Sequence, residues 1–154
     1  MPVTLTSRAR KRRVSERALR ALRVTAQRLL EVAGRPNDDL SVTLVGDRAI
    51  RTLNRRFRGK DRRTDVLSFP IVTPRERFDD RGPSRLLGDV VISLDTARRQ
   101  ARAYDAPLVR EIERLLIHGI LHLLGHDHER PAQRRRMEKE ERRLADAIGM
   151  EWPY

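Results

Sequence analysis

The chain has no cysteine. That excludes disulfides and thiolate metal sites, and it fits a reducing cytosol, so a cytoplasmic location is expected. No apolar run approaches the roughly 18 residues that a membrane-crossing helix needs, and no signal-peptide pattern opens the chain, so no membrane role is expected. Aromatic residues are scarce at 4%. The core must therefore be built from Leu, Val, Ile and Ala, and the composition argues against base-stacking tracks of the single-strand-binding type. Lysine is almost missing as well: of 34 basic residues only Lys11, Lys60 and Lys139 are not arginine, and against 22 acidic residues they leave a net charge of +12. Such an excess suggests a polyanionic partner, although a GC-rich coding sequence produces the same arginine skew.

What is present is concentrated. The protein has 4 histidines, and all fall within the segment from Leu115 to His128. Residues four apart share a helix face, so His118 and His122 project side by side, as two ligands of one metal do. Gly125 follows where a helix can stop, because glycine accepts a left-handed backbone at little cost. The chain then turns and can return His128 to the same point. The pattern H-x-x-x-H-x-x-G-x-x-H is the ligand spacing of metzincin zinc sites. Three imidazoles leave a fourth tetrahedral position open, which distinguishes catalytic from structural zinc. A lone histidine on an apolar helix is ordinarily a hydrogen-bonded core residue. Three at this spacing would each pay a desolvation penalty unless they shared a partner. His126 could close the site as a fourth ligand, but lying two residues from His128 it is expected to point elsewhere. Asp127 either orients an imidazole or caps the loop. A zinc peptidase carries Glu directly after its first histidine as general base; here that position is Gly119, so peptide hydrolysis is disfavoured.

A length of 154 residues fits one domain that buries about two-thirds of its unfolded surface. Residues 3–6 read as a short edge strand. Arg8 to Arg13 follow as a basic run, equally a solvated turn or a phosphate contact. Ser15 is a good N-cap for a helix with the stripe Leu19, Leu22, Val24, Ala26, Leu29, Leu30 and Ala33, ending at Gly34. Leu40 to Val45 alternates like a half-buried strand. Asp47 is expected to cap a helix through Arg56, and Thr64 to Ile71 to form the next strand. Residues 74–84 read as a surface loop. Gly88 to Leu94 is nearly continuously apolar and should be a central strand. Asp95 is expected to cap a helix through Tyr104. Leu108 to Leu124, the most hydrophobic helix, should be buried at the centre. Pro131 opens a last helix to Ile148 with Met137, Leu144 and Ile148 inward. The order β-α-β-α-β-β-α-α-α argues for an α+β fold: a single domain with a small mixed sheet of about four strands packed on helices.

The segment H-G-I-L-H-L-L-G-H-D-H resembles the signature of the YbeY family, zinc-dependent endoribonucleases and rRNA maturation factors. The block from Asn54 to Pro70 is similar to the family's N-x-x-[YF]-R-x-x-D-x-P-T-D-V-L-S-F-P, with Arg63 where proline is common. Gly88-Asp89-Val90-Val91-Ile92-Ser93 resembles the family's following strand. His126 departs from the usual aromatic. Together the blocks cover roughly residues 40–150. The resemblance implies the same fold and one Zn2+ on His118, His122 and His128; three-histidine sites also take Ni2+ or Co2+. It implies an arginine, aligned with Arg58, that steadies the phosphate, as a planar and permanently charged guanidinium can. Asp65 reads as structural, at a strand start. The implied activity is single-strand-specific cleavage of ribosomal RNA in 16S rRNA 3′-end maturation and ribosome quality control. The small ribosomal subunit and ribosome-assembly proteins are then the partners. The alternatives are a ribosome-assembly binding module whose zinc only holds the loop and, less favoured, a metallopeptidase.

Overall fold

The computed structural model describes residues 3–10, 14–71 and 86–152. Nine elements follow the expected order: β1 (Val3–Ser7), α1 (Glu16–Val32), β2 (Asp39–Val45), α2 (Asp47–Arg58), β3 (Val66–Pro70), β4 (Leu86–Ser93), α3 (Leu94–Ala103), α4 (Leu108–Leu123) and α5 (Pro131–Ala147). The loop expected at 74–84 and part of the basic run from Arg8 to Arg13 lie outside the described residues.

The sheet runs β1-β2-β4-β3. β1, β2 and β4 are parallel, and β3 is antiparallel on the far edge. β4 is thus an interior strand, as its nearly continuous apolar character requires. Alternation sorts the side chains onto two faces. Leu40, Val42, Leu44, Val90 and Ile92 enter the main core with α1 and α4, whereas Val45, Leu67 and Val91 face Ile50 of α2. Helix α4 is buried on nearly every side, from Ile112 through Leu123.

Three expectations need correction. Val24 is 61% exposed; it stands off the 3.6-residue stripe that Leu22, Ala26 and Leu29 define. Asp47 and Asp95 do not cap their own helices. Asp95 Oδ2 accepts from the Asp47 amide (2.8 Å), and Asp47 Oδ1 accepts from the hydroxyls of Ser93 and Thr96 (both 2.7 Å). Each carboxylate thus serves the neighbouring helix, and Ser93 caps α3 itself. Burial works to raise the Asp47 carboxyl, but the bonds from Ser93, Thr96 and Arg99 outweigh it and hold the group below its ordinary value. Helix α2 also runs to Arg58 instead of stopping at Arg56.

Candidate metal centre

The first two histidines come from α4 at the separation a helix turn dictates. The third needs the chain to reverse, and the backbone shows how. Gly125 takes φ 96°, its amide bonds the His122 carbonyl, and the His126 amide bonds the Leu121 carbonyl, both at 3.0 Å. This is the glycine-terminated helix end in which orphan carbonyls are satisfied by the reversing chain. Asp127 then accepts from the His128 amide at 2.7 Å. It caps the loop, which settles its main-chain role.

His118 Nε2 lies 3.0 Å from His122 Nε2 and 3.4 Å from His128 Nε2. Two nitrogens on one tetrahedral zinc lie about 3.3 Å apart, so the donor set fits such an ion. Among the described residues these three form the group of histidine and carboxylate side chains whose ligand atoms converge, all within 4.8 Å of one another. His126 is not among them. Its electrostatic neighbours are Glu140 and Arg136, and with Ala33 and Arg35 it lines a different surface hollow.

Two of the rings, His118 and His122, are prepared as neutral ligands. Burial foremost, then His122 and His128, push His118 from 6.5 down to about 4, while Asp65 opposes them. Burial and His128 also depress His122, with Arg58 contributing; Asp127 and a hydrogen bond with the His126 backbone act the other way. Arg58 lies exposed in the last turn of α2. Asp65 bonds the Val66 amide (2.8 Å) and Gln100 (3.2 Å), a strand-start role with electrostatic reach to His118. From the edge strand, Ser68 Oγ donates to the Gly119 carbonyl at 2.9 Å, tying β3 to α4 beside the first ligand.

Two charged residues escaped the sequence reading. Arg114, one turn before His118, is held by Glu111 at 3.0 and 3.1 Å through Nε. Glu141 sits on the inward stripe of α5 between Met137 and Leu144 and is 6% exposed. Both line a cleft of about 450 Å3 that also exposes His118 and His128. The available signal was position: a carboxylate where the 137/144/148 stripe wants an apolar residue.

Burial pushes the Glu141 carboxyl from 4.5 up to about 7, opposed by Arg114 and aided by Glu138. The folded protein therefore binds this proton more tightly than the unfolded chain. It loses stability as pH rises from about 4.5 through about 7. Glu141→Gln keeps the shape and cannot ionise. The metal-free variant is expected to match the wild type near pH 4 and exceed it by about 2–3 kcal/mol near pH 8. Urea melts at the two pH values check this, and an unchanged difference between them would refute it.

Fold and site together define a mixed α+β domain with a three-imidazole candidate metal centre. The family model described as Endoribonuclease YbeY matches residues 4–149, and the chain belongs to the YbeY family. A relative of that name from Geobacter sulfurreducens is 41% identical over 146 residues, 94% of this chain and 93% of its own. One from Anaeromyxobacter sp. (strain Fw109-5) is 53% identical over 133 residues, 86% of this chain and 66% of its own. One from Anaeromyxobacter dehalogenans is 54% identical over 134 residues, again 66% of its own length. The chain thus spans just under two thirds of those two Anaeromyxobacter relatives. The solution structure of a Thermotoga maritima protein aligns with TM-score 0.58 over 95% of this chain and 91% of that one, at 24% identity, a likeness of fold.

Proposed function

We propose that this chain is a metal-dependent endoribonuclease acting on single-stranded ribosomal RNA, with His118, His122 and His128 holding one Zn2+ and Arg58 steadying the phosphate. The observation that carries it is the convergence of three Nε2 atoms, without a carboxylate among them, within reach of the Arg58 charge. Curated relatives bear the name Endoribonuclease YbeY, and the net charge of +12 suits a polyanion. The proposed setting is 16S rRNA 3′-end maturation on the small ribosomal subunit in the cytoplasm. No helix among the described residues is long and apolar enough to cross a membrane.

Zinc in such a site supplies Lewis acidity, lowering the pKa of a water toward ~7. The chain's residues do the remainder. Burial disfavours the protonated forms of His118 and His122, which leaves both free to ligate. Arg58 places a permanent cation where the non-bridging oxygens gain charge as the phosphodiester is attacked. Its position is built in: α2 ends at Gly59, and Asn54 Nδ2 bonds the Arg62 carbonyl at 2.9 Å, fixing the loop that follows.

The test is cleavage of a single-stranded oligoribonucleotide by purified protein with defined zinc, beside a duplex and a peptide library. Arg58→Ala is expected to lower kcat/KM about 100- to 1,000-fold with unchanged metal content, and Arg58→Lys to restore only part. Full activity of Arg58→Ala removes the proposed role of Arg58. Peptide cleavage without RNA cleavage removes the nuclease, and RNA binding without turnover leaves an assembly module.

A further inference from the structure

The arginines at the end of α2 have an ordinary explanation: Arg55, Arg56 and Arg58 occupy the last turn, where cations complement the helix dipole. Phe57, set among them, does not. It is 59% exposed in a chain with only 3 phenylalanines. Its ring meets Phe69 edge-on, centroids 5.4 Å apart at 66°, and the Arg56 guanidinium lies over it at 5.5 Å. The ring is thus positioned while much of its surface stays open to solvent.

Its location is informative. Phe69 follows Ser68 on edge strand β3. Successive strand residues point to opposite faces. Ser68 bonds the Gly119 carbonyl, between the first ligand and the rest of α4, while Phe69 packs on the α2 side. The Phe57–Phe69 pair and helix α4, which carries the first two ligands, therefore lie on opposite faces of the sheet at its β3 edge. Arg58, the neighbour of Phe57 in the last turn of α2, is the arginine proposed above to steady the phosphate. The loop after it is held by Asn54 to Arg62 at 2.9 Å and Arg51 to Asp61 at 2.9 Å. A rigid aromatic surface surrounded by cations matches a nucleobase with its flanking phosphates better than it matches an apolar peptide or a lipid.

We infer that Phe57 is a stacking surface for one base of single-stranded RNA, next to the phosphate presented to the metal centre, with Arg56 and Arg58 receiving the adjoining phosphates. The inference rests on the proposed nuclease reading for its substrate. Scarcity of aromatics rules out a long stacking track but not one ring for one base. Stacking on a single side chain tolerates every base, so Phe57 sets register and strandedness without reading sequence: a paired base cannot leave its helix to stack here.

The test is an abasic scan. A short oligoribonucleotide is prepared with one nucleobase removed at each position in turn, and binding to the full chain is read by fluorescence anisotropy for wild type, Phe57→Ala and Phe57→Trp. One position is expected to weaken wild-type binding about tenfold when its base is removed. Phe57→Ala should bind the intact strand about tenfold more weakly and be indifferent to that position. Phe57→Trp should restore the dependence. In cleavage, Phe57→Ala should raise KM by a similar factor with kcat within about twofold, a split that a merely structural role would not give. Equal abasic profiles for wild type and Phe57→Ala overturn the inference, whether or not RNA is cut. A Phe57-dependent profile without cleavage sustains the stacking surface and overturns the nuclease. No RNA binding at all overturns both. A thermal melt of Phe57→Ala, whose ring is largely exposed, confirms folding.

Discussion

His118→Ala is expected to lose its metal and, with it, RNA cleavage by about a thousandfold, while the protein stays folded. The magnitude follows from the several kcal/mol a metal contributes to the transition state, at 1.36 kcal/mol per factor of ten. His118 is the ring to choose because it lies between the others, 3.0 Å from His122 and 3.4 Å from His128. Removing it leaves two donors and a wider gap. The fold should survive because α4 is anchored by Ile112, Leu116, Ile120 and Leu123, each fully buried and, by helical angle, turned away from the face that carries His118 and His122. Zinc content by elemental analysis, circular dichroism and cleavage of a labelled oligoribonucleotide make the measurement. Stoichiometric metal in the variant, or cleavage within about tenfold of wild type with contaminating nuclease excluded, would remove the proposed centre. In the wild type, acidification should release metal, since protons compete for the same nitrogens.

Gly119→Glu is the second large effect, and it is structural. The position next to the first histidine is where a zinc peptidase keeps its general base, so this change writes the peptidase motif into the chain. Yet a Cβ at 119 would meet Val90 Cγ1 at 2.7 Å, Val90 Cγ2 at 3.1 Å and Ser68 Oγ at 3.3 Å. This face of α4 lies on the sheet, with no room for a side chain. Gly119→Ala should cost about 1–3 kcal/mol through overpacking. The glutamate adds an unpaired buried charge, for about 3–5 kcal/mol in all, or a fall in Tm of about 10 °C or more. Calorimetry or thermal circular dichroism reads both. A Gly119→Glu variant that melts with the wild type and cuts peptides would show that the helix can turn this face toward the cleft. The missing glutamate is thus a packing requirement as well as a chemical difference.

The periodic signals were legible: α4 by its apolar surround, β4 by its nearly continuous apolar run, the α1 cap by Ser15, the reversal by Gly125. Each depends on residues close in sequence. What stayed hidden depends on partners far along the chain. The exchange of carboxylates between Asp47 and Asp95 spans 48 positions, and local rules assign each acid to its own helix. Val24 fell into the stripe because its chemistry is apolar although its angle is wrong. At the site, the histidine spacing predicted a convergence that the structure contains. The hydrogen bond from Ser68 could not be read, because a serine in a strand looks like a surface residue until the opposing element is known; Glu141 showed only as a carboxylate on the inward stripe of α5.

The convergence of ligands within a single short stretch, 118 to 128, has a consequence for how the protein meets its ion. In a chain without cysteine, such an ion would be the sole cross-link, yet the loop it clasps is so short that closing it costs an unfolded chain little. Part of the affinity would persist in the denatured ensemble, and loading would tighten one corner more than it would raise the global melting point. The scaffold stands by its own packing; an ion held there would be a passenger received by the turn after α4.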